Sequence, residues 1–456
     1  MILNLSQIAE FSGGKLYGNG EIEVKGFFTD SRKAEPGKMF VAIKGENTDG
    51  HKYIPNVIEA GCKACFSQVK LPEELNINYV LVDDSVAALQ KCATECRKKI
   101  KAPIIGITGS VGKTTTKEIV SLALSSALNV NKTEGNANGQ IGLPQMIMKT
   151  ESDHNVCVFE MGMSYPGEMK RLADMAKPNI AIMTNIGVSH IEFHGSRENI
   201  MAEKIRIADY IAESGTIFVN GDDDLLCTLK DKHASGEVRP VVVTFGTNPN
   251  CDFVATNIRD NGIGTQFTYL MGKKSHEVYL PVLGMHNVRN ALAALAVAEY
   301  LGLDINKVIE ALATYKSPDM RGGIKKVNNI TFIDDTYNAS PDSMVSSIDV
   351  LAGFKGRRIA VLSDMLELGT YSEKGHREVG EAASKKQIDF LVAVGNEAEF
   401  IYDGFDCPEK SEYFKTNSEA NAFLETFVKS GDTLLIKGSR GMHTEEILNH
   451  LCERFA

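Results

Sequence analysis

Ile104-Ile105-Gly106-Ile107-Thr108-Gly109-Ser110-Val111-Gly112-Lys113-Thr114-Thr115-Thr116 is an apolar run that passes into a glycine-rich loop, ends in Gly-Lys-Thr and opens a helix. Such a loop cradles phosphate. Gly109 and Gly112 let backbone N–H groups around Ser110 and Thr115 turn toward a polyphosphate, Lys113 supplies a point charge, and Thr114 offers a hydroxyl to Mg²⁺. The helix, expected from Lys113 to about Leu128, aims its positive end at the same anion. A strict P-loop has its first glycine where Ile107 stands, and Gly106 comes one residue early, so the loop is a variant. Binding of a nucleoside triphosphate is favoured over a chance strand-to-helix turn.

At 456 residues the chain is too long for one core, and two to four domains are expected. The formal net charge of -10 argues against a nucleic acid or an anionic membrane as partner. The start, Met1-Ile2-Leu3-Asn4-Leu5-Ser6, lacks a basic stretch followed by a long apolar one, and no run has the length of a membrane span. The chain is expected to be a cytoplasmic monomer. Nine cysteines fit reduced thiols better than a disulfide framework. Cys62 and Cys65 with Cys92 and Cys96 raise a zinc site as the lesser alternative.

Residues 1–98 read as a small mixed α/β unit, with strands at Glu21–Thr29, Met39–Ile43 and Tyr79–Val82, closed by the basic Arg97-Lys98-Lys99 and Pro103. Residues 99–317 alternate β and α, with apolar runs Val156–Phe159, Ile180–Met183, Thr216–Val219 and Val241–Phe245. Residues 318–456 repeat the pattern from Ile330–Ile333 onward. The fold class is therefore α/β in three domains: a small mixed N-terminal domain, a central parallel-sheet P-loop domain, and a Rossmann-like C-terminal one.

Ligands of open parallel sheets sit at the carboxyl ends of strands. Glu160 ends one run, as a Mg²⁺ ligand or a solvated cap. His190 follows another, as a ligand or an ordinary structural histidine. Lys204 falls with Ile200, Ile207, Ala208 and Ile211 at helical spacing on one face. Desolvation favours the neutral amine, which can take up CO₂ as a carbamate; snorkelling or pairing with Glu203 is the commoner fate. Gly284-Met285-His286-Asn287-Val288-Arg289-Asn290-Ala291 opens an Ala-rich helix, and Asp335, Asp364 and Lys437-Gly438-Ser439-Arg440 end strands of the third domain.

In order and spacing, Thr108–Thr115, Glu160-Met161-Gly162, Ser189-His190, Ala202-Glu203-Lys204, Gly284–Ala291 and Met320-Arg321-Gly322 resemble the Mur ligase family over the whole chain. Thr29-Asp30-Ser31-Arg32, Phe40–Gly45, Asp49-Gly50-His51, Gly135–Pro144, Asp335–Pro341 and Lys437–Arg440 are similar to the member that adds D-alanyl-D-alanine to a UDP-muramoyl-tripeptide. Gly139 and Ser340 depart from that member, which commonly has Asn at both. The resemblance implies ATP, two Mg²⁺ ions and a carbamylated Lys204. It implies Lys113, Lys204, His190 and Arg321 as catalytic residues, and Thr114, Glu160, His190 and Lys204 at the metals. Asn287 and Asn290 would approach adenine, Arg321 the γ-phosphate and Asp335 the ribose. Ser31 and Arg32 would face the uridine nucleotide, with Lys44, Asn136, Asn138, Asn338 and Ser439 as further substrate contacts.

The implied reaction is ATP-driven amide formation through an acyl phosphate, with closure of the third domain excluding water. Two alternatives stand beside it. One is another ligase of the superfamily, either the diaminopimelate- or lysine-adding one that acts on a UDP-muramoyl-dipeptide or a folylpolyglutamate-type one; a uridine nucleotide should cover residues 26–51 here, and a folate would not. A regulatory P-loop NTPase would release phosphate without an amine acceptor and leaves Lys204 and the third domain unexplained.

Overall fold

The computed structural model describes residues 1–45 and 48–456; Glu46 and Asn47, within the 26–51 stretch expected to meet a uridine nucleotide, lie outside the described residues. Three principal sheets succeed one another along the chain. The central one has nine strands, in the order Lys274–Leu280, Thr265–Met271, Phe253–Asp260, Val241–Gly246, Thr216–Asn220, Ile180–Met183, Ile104–Thr108, Val156–Glu160 and Val130–Lys132. All pairings from Val130–Lys132 to Phe253–Asp260 are parallel, and the two outermost are antiparallel. The sheet is thus mixed, extended by a meander that was not expected. Its strands mix buried residues with exposed and half-buried ones, so they lack the continuous apolar runs of the doubly covered strands.

Ile104–Thr108 is buried along its whole length and lies between Val156–Glu160 and Ile180–Met183. The chain leaves it to both sides, the arrangement that opens a crevice at the strands' carboxyl ends. The helix that follows spans Lys113–Leu124, shorter than expected, and packs on Met285–Tyr300, whose Ala291, Ala293, Ala294, Ala296 and Ala298 are fully buried. Small side chains let the two helix backbones come close. Gly106 does not belong to the loop: it sits within the strand, where a Cβ would lie 2.8 Å from the Met161 sulfur. Its absent side chain makes room for Met161 and Ile207, and the phosphate loop begins at Gly109.

The C-terminal sheet orders Gly323–Val327, Ile330–Asp335, Thr433–Lys437, Arg358–Ser363, Phe390–Val394 and Ser411–Phe414, parallel except at the first strand. The N-terminal sheet is five-stranded and mixed; the expected strand Glu21–Thr29 divides into Glu23–Val24 and Phe27–Phe28, which join different sheets. One apolar cluster runs from Leu5, Ile8 and Leu89 into Leu143, Ile147 and Leu172, so the N-terminal sheet's helices share a core with the central sheet's. Arg97 is a staple and not a linker charge, since its guanidinium donates to the carbonyls of Ala176 (2.6 Å) and Lys177 (3.0 Å). Among the described residues no helix is long and apolar enough to cross a membrane.

Candidate active site

A cavity of about 970 Å³ opens at the carboxyl end of the central sheet and is roofed by the C-terminal one. Its wall includes Ser110, Gly112, Lys113, Thr114 and Thr115 from the glycine-rich loop. Gly109 holds φ +149° and Gly112 φ +85°, and a Cβ on Gly109 would overlap the Thr184 hydroxyl. Both positions therefore need glycine. The Lys113 ammonium folds back onto the carbonyls of Gly109 (2.7 Å) and Ser110 (3.2 Å). Burial lowers its pKa from the ordinary value, Glu160 opposes that, and Arg321 adds to it.

Glu160 is 1% exposed, and its carboxylate accepts from the Thr114 hydroxyl (2.8 Å) and the Asn138 amide (2.7 Å). Both donors are neutral, so a buried carboxyl group faces the cavity beside hydroxyl and amide groups. That set of hard oxygen donors fits a divalent cation such as Mg²⁺. Asn136 and Asn138 reach the wall from the loop before helix Gly142–Met148. His190, at φ +63°, also lines the cavity, but its Nδ1 lies 2.7 Å from a Glu367 oxygen of the C-terminal unit. The contact lacks good hydrogen-bond alignment, and the imidazole beside it holds the Glu367 carboxyl below its usual range.

Lys204 lies behind this wall and does not line it. The helix is shorter than its apolar face implied: Arg197–Lys204 is α-helical and Ile205–Ala208 tightens to a 3₁₀ turn, yet Ile200, Ile207, Ala208 and Ile211 remain buried. Lys204 is 0% exposed and its Nζ has no hydrogen-bond partner among the described residues. Snorkelling is thereby ruled out for this side chain. Among the described residues no ion pair joins it to Glu203, whose carboxylate accepts the Met169 N–H at 2.9 Å. Burial, reinforced by Lys113, drives the Lys204 amine well below its ordinary value. The lowered affinity for a proton favours the neutral amine, the form that reacts with CO₂.

Asn287 and Asn290 line the cavity from the Ala-rich helix, where Asn290 accepts from Thr116 at 2.8 Å. From the C-terminal sheet come Arg321, stacked 3.8 Å from the Tyr337 ring centroid, and Asp335, bonded to Lys437 and Ser347 at 2.6 Å each. Asn338 and Ser439 complete that side. Ser31, Arg32 and Lys44 are not brought to the cavity: Arg32, 88% exposed, is gripped by Asp30 through Nε (2.9 Å) and Nη2 (2.8 Å). All nine cysteines are free, and no cluster of three or more His, Cys, Asp or Glu able to hold a metal occurs among the described residues, which removes the zinc alternative there.

The cavity also takes Asp222, Asp223, Asp224, Arg197, Arg289 and Asp342, which sequence reasoning passed over. The three aspartates directly follow strand Thr216–Asn220, so the rule that located Glu160 would have located them. Asp342 is different: no strand end marks it.

Comparison with known proteins covers the same ground. Residues 23–105 match the Mur ligase family catalytic domain, 107–298 the Mur ligase middle domain, and 320–440 the Mur ligase glutamate ligase domain. The UDP-N-acetylmuramoyl-tripeptide--D-alanyl-D-alanine ligase of Bacillus subtilis (strain 168) is 35% identical over 460 residues, covering 98% of each chain. Crystal structure I of MurF from Acinetobacter baumannii superposes with TM-score 0.91 at 30% identity over 99% of each chain. MurF ligase from Thermotoga maritima in complex with ADP gives 0.82 at 30% identity, covering 94% of this chain and 97% of that one.

Proposed function

We propose that this chain, which belongs to the Mur ligase family, is an ATP-dependent ligase that joins D-alanyl-D-alanine to the terminal carboxylate of a UDP-N-acetylmuramoyl-tripeptide. The observation that carries the reading is one cavity in which the phosphate loop, Glu160 and an inward-facing Arg321 meet, in a chain whose relative of 35% identity is a ligase of that name over its full length.

A carboxylate is a poor electrophile at neutral pH, so ATP first converts it to an acyl phosphate. The amine of D-alanyl-D-alanine then attacks the acyl carbon, the C–N bond forms, and phosphate leaves. No side chain need act as nucleophile; positioning and charge supply the rate. Lys113 can exchange its two carbonyl partners for phosphate oxygens. Arg321, fixed by its stack on Tyr337, would meet the γ-phosphate. Asn287 and Asn290 stand on adenine's side and Asp335 on the ribose's.

Thr114 and Glu160 would hold one Mg²⁺, with His190 and carbamylated Lys204 at a second. The bound ions neutralise phosphate charge. Carbamylation of Lys204 forms a bond from Nζ to the carbon of CO₂ and releases a proton, replacing an unpaired amine with an anion. Ser31, Arg32 and Lys44 would grip the uridine nucleotide, while Asn136, Asn138, Asn338 and Ser439 would contact the peptide. The divisions 1–98, 99–317 and 318–456 would then be UDP-substrate, ATP and closing domains of a cytoplasmic monomer.

Mass spectrometry of the nucleotide product tests the reaction. UDP-muramoyl-tripeptide should gain one D-alanyl-D-alanine less water, only with ATP. A single amino acid or glutamate accepted in place of the dipeptide would instead favour another member of the superfamily.

A further inference from the structure

The loop from Thr184 to His190 is held from two directions. On one side lies the glycine-rich loop. The Ser110 N–H donates to the Asn185 carbonyl (3.0 Å), the Val111 N–H to the Asn185 side-chain oxygen (2.9 Å), and the Gly187 N–H to the Ser110 hydroxyl (2.9 Å). The Thr184 hydroxyl and Asn185 amide return two bonds to the Val111 carbonyl, at 2.6 and 3.0 Å. Between them, Ile186 gives its N–H to Asp223 (2.8 Å) and its carbonyl takes two bonds from Arg197.

On the other side lies the C-terminal unit. The next N–H, that of Val188, donates to Asp342 at 3.1 Å across 154 positions of sequence. Asp342 stands in the first turn of helix Pro341–Ala352. The Val188 side chain, 7% exposed, belongs to the apolar cluster of Met344, Met365 and Leu368. Gly187 is fitted to the same contact, since a methyl there would overlap the Asp342 carboxylate. Its φ is not left-handed, so close approach and not backbone conformation calls for glycine.

We propose that Asp342 is a positioning residue that fastens the C-terminal unit to the 184–190 loop, so that one hydrogen-bonded segment links the stance of the phosphate loop to the delivery of Arg321. Asp342 acts through the Val188 N–H and needs no contact with substrate. Without it that N–H loses its acceptor at a half-buried junction, and the unit is released from the loop that senses phosphate.

Amide hydrogen exchange on the full chain reads this directly, with ADP as the probe. Asp342→Ala should speed exchange over residues 184–192 by ~10-fold, the scale of one lost hydrogen-bond acceptor at a half-buried junction, while exchange in Ile104–Thr108 stays as in the wild type. Asp342→Asn keeps an acceptor oxygen and should restore most of the protection. Gly187→Ala, made from the opposite side of the contact, should reproduce the Asp342→Ala pattern. ADP should slow exchange in helix Pro341–Ala352 in the wild type and not in Asp342→Ala. The kinetic arm rests on the ligase reading: KM for ATP should rise ~10-fold, with KM for the UDP substrate held within about twofold. Unchanged exchange over 184–192, or an Asn variant no better than Ala, overturns the latch whatever the kinetics. Failure of the wild type to ligate, with the exchange differences intact, overturns the ligase reading and leaves the latch standing.

Discussion

Replacing Lys204 by methionine and by alanine separates what its stem does from what its amine does. The side chain is wholly buried, as are Ile200 and Ile207 at helical spacing from it, and among the described residues Nζ has no hydrogen-bond partner. Methionine fills much of the same volume and removes only the amine, whereas alanine leaves a hole that a close-packed interior closes incompletely. Truncations of that size cost about 2–5 kcal/mol. Burial lowers the Lys204 amine well below its ordinary 10.5, so the unfolded chain holds this proton more tightly than the folded chain does. That linkage opposes folding, and the opposition fades as pH rises through the window up to 10.5. The Met variant should therefore be at least as stable as the wild type at pH 7, and the Ala variant less stable than Met by about 2–5 kcal/mol in urea unfolding. Added bicarbonate should stabilise the wild type by converting its amine to a carbamate and leave Met unmoved. Both variants should lose ligation, and short-chain carboxylic acids should partly restore Ala alone, since only Ala has room for them. A Met variant with full activity, or a wild type indifferent to bicarbonate, would refute the carbamate.

Three further outcomes follow from the same geometry. Lys113→Ala should lower turnover at least ~10²-fold with the fold intact, because Lys113 bonds only two loop carbonyls and fills no core; steady-state kinetics beside a melting curve checks both halves. Arg32→Ala should raise KM for the UDP substrate far more than KM for ATP, since Arg32 lies off the cavity and, among the described residues, its guanidinium is tied only to Asp30; equal effects would undo its assignment. Gly109→Ala should abolish ADP binding measured by calorimetry, as its Cβ would overlap the Thr184 hydroxyl at a φ that alanine rarely adopts.

What sequence revealed and concealed divides along physical lines. Strands buried on both faces, such as Ile104–Thr108 and Ile180–Met183, announce themselves as apolar runs, and the residues that end them are easily placed in a site. The meander strands Thr265–Met271 and Lys274–Leu280, the second at the sheet's edge, mix polar residues with apolar ones and pass for loop. Gly106 looked like a displaced loop glycine because its reason, Met161 and Ile207, comes from distant segments. Asp342 illustrates the same limit. Its partner is a backbone N–H, which every residue but proline has, so no residue pattern could point to Val188.

The central claim is that phosphoryl transfer here serves amide formation and nothing else. ADP release is the direct measure, followed with UDP-muramoyl-tripeptide and Mg²⁺, with and without D-alanyl-D-alanine. The account predicts one ADP per ligated product and little release when the dipeptide is withheld, because the closed cavity keeps water from the acyl phosphate. Equal release in its absence, or release without the UDP substrate, would contradict it and return the chain to a nucleotide hydrolase.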